Sequence, residues 1–286
     1  MLYHCYADDT QIYLSVKRPN TVRHAVRCIE ACLADMKSWM QSNMLKLNDQ
    51  KTEFAIFSTR QLKDIPNISI GSHSISPSSM VRNLGIIMDR RLTMVNQVHQ
   101  VVKVCNFYIR LIGKIRKYLT KESCLALTLS LVISRLDYGN SLLHGIAVRQ
   151  ITRLQRCQNT AARLVCQVRR REHITPTLMY LHWLPVSYRV MFKVLIFAFK
   201  ALHGLGPKYL QELVTPHQTS RVLRSQNKRL AAVPAVRTVT YGHRTFGYAA
   251  STLWNNLPKA IRDAEDLPNF KKLLKTHFFE QAYSNA

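Results

Sequence analysis

The sequence predicts an α+β protein, with short strands and one helix over residues 1–92 and a mainly helical remainder from residue 93 onward. Three observations carry that reading. Residues 1–5 and 10–16 are aromatic and β-branched in loose alternation around Asp8 and Asp9, as expected of a hairpin with a tight turn. Val22, Val26, Ile29, Leu33, Met36 and Met40 recur every three or four residues, the period of a helix with one buried stripe. After Thr93 the same helical period dominates over residues 98–118, 122–133, 151–168 and 187–202.

Taken in order, the first helix spans residues 21–43, and Asn20 or Thr21 can cap its first turn. Residues 54–57 and 68–70 read as short strands, separated by turns rich in proline, glycine and serine. Residues 81–88 form a hairpin around Gly85. Among the helices, Thr120 followed by Ser123 offers a cap, and Gly204, Gly206 and Pro207 stop the helix of residues 187–202. Residues 213–247 are basic, without an acid, and predict a linker or an arm that orders on a partner. Residues 248–257 and 267–283 predict two closing helices set apart by Pro258 and Pro268.

At 286 residues and 47% hydrophobic, the chain can bury a sizeable core, which excludes disorder throughout. Its 41 basic against 16 acidic residues give a formal net charge of +25, which favours a polyanionic partner: nucleic acid first, an anionic membrane surface second. Residues 138–207 carry one acid, Glu172, against ten lysines and arginines. The seven cysteines form no CxxC pair, and with no secretory leader evident they predict a reducing, nuclear or cytoplasmic setting. Cys166, His173 and His182 are too irregularly spaced for a zinc site, so His182 and Trp183 are read as packing at a helix boundary before Pro185, and Trp254 as core. The apolar residues 190–202 are broken by Lys193 and Lys200 and fall short of a membrane span.

The chemistry is concentrated at the start. Two adjacent carboxylates repel one another, and a divalent cation relieves that repulsion. An ordinary exposed turn also carries Asp-Asp. Tyr6-Ala7-Asp8-Asp9, continuing Thr10-Gln11-Ile12-Tyr13, resembles the catalytic turn of reverse transcriptases, and the longer string resembles that of non-LTR, LINE-type retrotransposons of the jockey-like kind. Further motifs follow in order: Trp39, Asn43, Leu45, Leu47 and Asn48 with Lys51-Thr52-Glu53; Asn83-Leu84-Gly85 with Asp89 and Leu92; Leu136-Asp137-Tyr138-Gly139-Asn140; Gln158-Asn159-Thr160-Ala161-Ala162-Arg163-Leu164; and His182-Trp183-Leu184-Pro185-Val186 with Arg189.

The resemblance implies a partial palm over residues 1–92, a helical thumb and post-thumb region over 93–212, a basic linker or arm over 213–247 and C-terminal helices over 248–286. It makes Asp8 a magnesium ligand and Asp9 its support, with Lys51 near the incoming triphosphate. Tyr6 and Gly85 would lie against nucleic acid, as would a basic surface of Arg110, Lys114, Arg116 and Lys117 and another of Arg169, Arg170 and Arg171. The implied partner is RNA or an RNA–DNA hybrid, bound without sequence preference. The family also needs a further palm aspartate and basic fingers ahead of the turn, and here the turn stands within the first nine residues. The expectation is therefore a remnant of an RNA-directed DNA polymerase that does not polymerise alone, with an exposed palm edge open to a protein partner. The alternative is a non-catalytic host nucleic-acid-binding protein derived from the same element.

Overall fold

The computed structural model describes residues 1–16, 21–59, 65–71, 73–217 and 229–284. The class is α+β: helices together with small antiparallel strand pairs. The chain divides into two compact units, Met1–Asn96 and Gln97–Ala286.

In the first unit β1 (Leu2–Tyr6) pairs antiparallel with β2 (Asp9–Tyr13), β3 (Ile68–Ile70) with β4 (His73–Ile75), and β5 (Met80–Asn83) with β6 (Ile86–Asp89). Helix α1 (Val22–Ser42) supplies the buried stripe that the three-and-four spacing predicts. Val26 and Leu33 pack with Ile68 and Ile70, and Ile12, Ile29, Leu47, Phe54 and Ile75 close around them. Thr21 occupies the N-cap position, and Asn20 lies outside the described residues. At the other end Met44 takes a left-handed conformation, and the Leu45 and Met44 amides donate back to the carbonyls of Met40 and Gln41 at 2.8 and 3.2 Å. That pattern ends a helix by satisfying its last carbonyls.

Residues 54–57, expected as a strand, make one bridge among the described residues, Ala55 to Ser78, with the Ser78 amide on the Phe54 carbonyl at 2.7 Å. A strand needs a neighbour along its length, and β propensity supplies none. The Ser58 amide turns instead to the carbonyl of Arg90.

In the second unit α2 (Val95–Ile115), whose first residues belong to the first unit, ends in a 3-10 turn at Arg116–Tyr118. Helix α3 (Lys121–Thr128) starts where the Thr120 hydroxyl accepts the Ser123 amide at 3.2 Å, the cap that the sequence offers. It runs on through a π-helical turn, Leu129–Ile133, into α4 (Ser134–Asp137). Then come α5 (Val148–Cys166), α6 (Thr175–Tyr180), α7 (Val186–Leu202), α8 (Lys208–Gln211), α9 (Val239–Gly242), α10 (Phe246–Asn255), α11 (Lys259–Arg262) and α12 (Leu267–Tyr283).

Helix α7 is the axis of this unit, apolar on most sides because other helices surround it. Phe199 stacks on Phe270 of α12 at 4.6 Å and lies 6.4 Å from Trp254 of α10, which is buried in the core with its indole N–H on the Arg229 carbonyl at 2.8 Å. Parts of the linker expected over residues 213–247 belong to this core. Val214 and Ala231 are buried in it, and the Asn255 side chain accepts from the Ala231 amide at 2.8 Å and donates to the Ala231 carbonyl at 2.9 Å. Arg221, Arg224 and Lys228 of that segment lie outside the described residues.

Polar side chains fix how α7 is entered. The fully buried Gln158 donates to the Leu184 carbonyl at 2.8 Å and accepts from Gln155, whose own oxygen takes the Val186 amide at 2.8 Å. Arg189 meets both carboxylate oxygens of Asp137. The Tyr283 hydroxyl donates to the carbonyl of the buried Trp183 at 2.6 Å, and burial pushes that hydroxyl up to about 12.

Leaving a buried carbonyl without a donor costs roughly 1–3 kcal/mol. Gln158→Leu, which keeps the volume and removes the amide, is expected to destabilise the chain by about that much in urea unfolding; an unchanged midpoint would show that the network is not needed.

Candidate active site and basic surfaces

The aspartate hairpin turns at Ala7 and Asp8. Tyr6 pairs with Asp9, His4 with Gln11 and Leu2 with Tyr13, so Asp9 is the first residue of β2 and Asp8 sits in the turn. Ala7 has φ 53°, a left-handed conformation that a residue with a side chain adopts at a cost of about 1–2 kcal/mol. Asp8 and Asp9 are both exposed.

Because side chains alternate across a ribbon, Tyr6, Asp9 and Gln11 share one face, and Cys5, Thr10 and Ile12 share the other. The second face meets the core through Ile12. On the first, Gln11 and Asn83 exchange two hydrogen bonds: the Gln11 amide N–H on the Asn83 oxygen at 2.5 Å and the Asn83 amide N–H on the Gln11 oxygen at 3.1 Å. Asn83 ends β5 and is followed by the Leu84-Gly85 turn, so the glycine hairpin is tied to the face that carries Asp9. Leu84 and Gly85 both have positive φ, 44° and 80°, as a two-residue turn matching ribbon twist requires, and glycine meets that requirement without strain.

Asp89 closes the glycine hairpin. Its carboxylate accepts the amides of Arg91, Thr93 and Met94 at 3.1, 3.0 and 2.8 Å and the Thr93 hydroxyl at 3.0 Å, fixing a loop in which Leu92 and Met94 have positive φ just before α2. Burial, the largest single influence, pushes this carboxyl up, but the hydrogen bonds together hold it below its ordinary value.

The other residues singled out by sequence fall into distinct places. Lys51 is exposed on a 3-10 turn, Asp49–Lys51, and no hydrogen bond or ion pair links it to Asp8 or Asp9 among the described residues. Arg110, Lys114 and Lys117 are exposed around the end of α2, with the Lys117 ammonium 4.8 Å from the Tyr118 ring centre. Arg116 differs from them. Its guanidinium donates to the carbonyls of Leu164, Val165 and Leu119 at 2.9, 3.0 and 2.8 Å, so it caps the negative end of α5 and is not a free phosphate donor. Arg169, Arg170 and Arg171 are exposed.

The sequence reading gave no role to Gln11 and Asn83 beyond membership of motifs. No local signal marked them, since Asp9 and Thr10 precede Gln11 and Arg82 precedes Asn83 in strands that carry other polar residues. A pair of carboxylates suits magnesium, which takes one or two protein carboxylates and fills its remaining positions with water and phosphate oxygens. Among the described residues no group of three or more histidine, cysteine, aspartate or glutamate side chains is gathered to hold a metal. Nor is any helix there long and apolar enough to cross a membrane. No family model, curated protein or solved structure matches the chain.

Asp89 provides a pH test. Its folded pKa is depressed, so its stabilisation is present above the ordinary carboxylate value and is lost as pH falls through the folded one. Asp89→Ala is expected to cost about 1 kcal/mol at neutral pH. In urea titrations the gap between variant and wild type should shrink below about pH 4; a gap independent of pH would contradict the capping role.

Proposed function

We propose that residues 1–92 are part of the palm of a reverse transcriptase of the non-LTR, LINE-type kind, and that residues 93–212 form its thumb and post-thumb region. In this reading Asp8 and Asp9 supply part of the carboxylate set for magnesium. The bound ions would stabilise the charge on the attacking 3′ oxygen and on the leaving phosphate. Asp8 holds the metal and Asp9 supports it, while Tyr6 and Gly85 lie along the primer and Lys51 serves the triphosphate. Arg110, Lys114, Lys117 and the arginines at 169–171 meet the phosphates of RNA or an RNA–DNA hybrid. The site is partial: in-line transfer needs the reacting atoms held together by a full set of ligands, so a further carboxylate and a triphosphate-binding surface must join Asp8 and Asp9, and the chain by itself does not polymerise.

The observation that carries this reading is the Gln11–Asn83 pair. A primer terminus has to reach the metal-binding carboxylates, so a hairpin that grips the primer must lie beside the aspartate turn. The paired amides join those two hairpins on the Asp9 face. The exposed large apolar side chains of β1, Tyr3 at 75% and Leu2 and Tyr6 at 62%, support the presence of a further element against this hairpin in the working assembly.

Primer extension on an RNA template with magnesium or manganese, comparing the wild-type chain with Asp8→Ala, tests the partial-site reading. No incorporation by either is expected. Incorporation by the wild type that vanishes in Asp8→Ala would overturn it and show the site to be complete.

A further inference from the structure

We infer that the exposed stripe of α5, from Arg149 through Arg156 to the arginine turn at residues 169–171, is a docking surface for the phosphate backbone of RNA. It extends the nucleic-acid part of the proposed function to a new helix and does not rest on the polymerase part. Helix α5 contains no acid. Gln150, Leu154, Cys157, Gln158, Ala161 and Val165 bury its inner side, which leaves Arg149, Thr152, Arg156 and Thr160 on the outside. Positions 149 and 156 are two turns apart on one face, about 10 Å along the axis at 1.5 Å per residue.

These cations are not neutralised from within. Among the described residues the ion pairs are formed by Lys37, His73, Arg189, Arg229 and Lys259, and none by Arg149, Arg156 or the arginines at 169–171. Between the arginines the stripe is low: the Thr152 and Thr160 hydroxyls fold back onto the carbonyls of Val148 and Arg156 at 3.0 and 2.8 Å. A polymer backbone can therefore approach the helix closely.

The arginine turn is built rather than frayed. Gln167 takes φ 55° at the end of α5, and Arg163 reaches forward to donate to the carbonyls of Glu172 at 2.6 Å and Arg170 at 3.4 Å. The Glu172 carboxylate, the one acid of residues 138–207, accepts the Arg169 amide at 3.1 Å. The backbone that carries these three consecutive exposed arginines is thus held in place just beyond the end of α5. Holding them before binding lowers the entropy lost on contact with phosphates.

The same charge would attract an anionic lipid surface, but a helix that lies on a membrane inserts an apolar face. The apolar face of α5 is occupied by its own core, and the outer side between Arg149 and Thr160 carries arginine and threonine. A nucleic-acid backbone fits that chemistry better, and contacts of this kind position without reading sequence.

The test measures binding of the full chain to an RNA hairpin of mixed sequence across a salt series, with anionic phospholipid vesicles in a parallel arm. Removing two phosphate contacts reduces the slope of log affinity against log salt by about two. R149Q with R156Q is expected to show that reduction and roughly tenfold weaker binding near 0.1 M salt. A charge-matched control, K271Q with K275Q on the exposed side of α12, should change affinity by less than about twofold. Thermal unfolding of each variant checks that the fold is kept. Equal losses in the two double variants, no RNA binding by the wild type, or loss of vesicle binding with RNA binding intact would each overturn the inference. Loss of RNA binding in R149Q with R156Q alone upholds it whether or not the chain ever extends a primer.

Discussion

A two-stranded ribbon is marginal in water, because most of its side chains and both of its edges face solvent. Among its described residues the first unit contains three such ribbons and one long helix, so its architecture depends on whatever holds the ribbons to something else. The β3–β4 ribbon is held by apolar packing under α1. The aspartate hairpin has Ile12 on one face and the reciprocal amides of Gln11 and Asn83 on the other. Two hydrogen bonds between neutral side chains are modest in net energy, about 1 kcal/mol each. Their geometric effect is larger, since they select which face of the hairpin the glycine turn lies on. In the proposed reading that selection places a primer-holding element beside the metal-binding carboxylates, so a structural clip and a catalytic requirement become the same contact.

The second unit distributes its arginines between two kinds of task. Arg116 and Arg163 satisfy backbone carbonyls at and beyond the end of α5, and Arg189 binds Asp137 in a bidentate pair. Those contacts bear on packing: they cap a helix, shape a turn and orient α7. The exposed Arg149, Arg156 and the arginines at 169–171 form none of the described ion pairs, and their clustering on α5 and the turn after it gives part of the excess charge a location. The formal charge of +25 is thus a poor guide to any one residue. Arg116 and Lys117 are adjacent in sequence, and only the second faces outward.

Helical content was legible wherever one stripe was apolar. The α1, α7 and α12 boundaries fall within a residue or two of the periodic runs. The Thr120 cap was legible because a hydroxyl three residues before an amide has few other uses at a helix start. The strand at residues 54–57 was misread because the sequence states propensity and not the presence of a neighbour. The segments flanking residues 218–228 were read as linker because sparse aliphatic residues hide how deeply Val214 and Ala231 are buried. At the aspartate turn, residue identities were plain in sequence, while the clip between Gln11 and Asn83 spans 72 positions and no local pattern announces it.

The central claim is that the aspartate turn is an incomplete divalent-metal site rather than an ordinary exposed loop. Titrating manganese into the isotope-labelled chain and following paramagnetic broadening of the backbone amides tests it directly. The account predicts selective broadening at residues 7–10, abolished by Asp8→Ala and weakened by Asp9→Ala, at the low affinity that two carboxylates without phosphate ligands provide. Broadening spread evenly over the acidic residues, or centred elsewhere and unchanged in both variants, would contradict it.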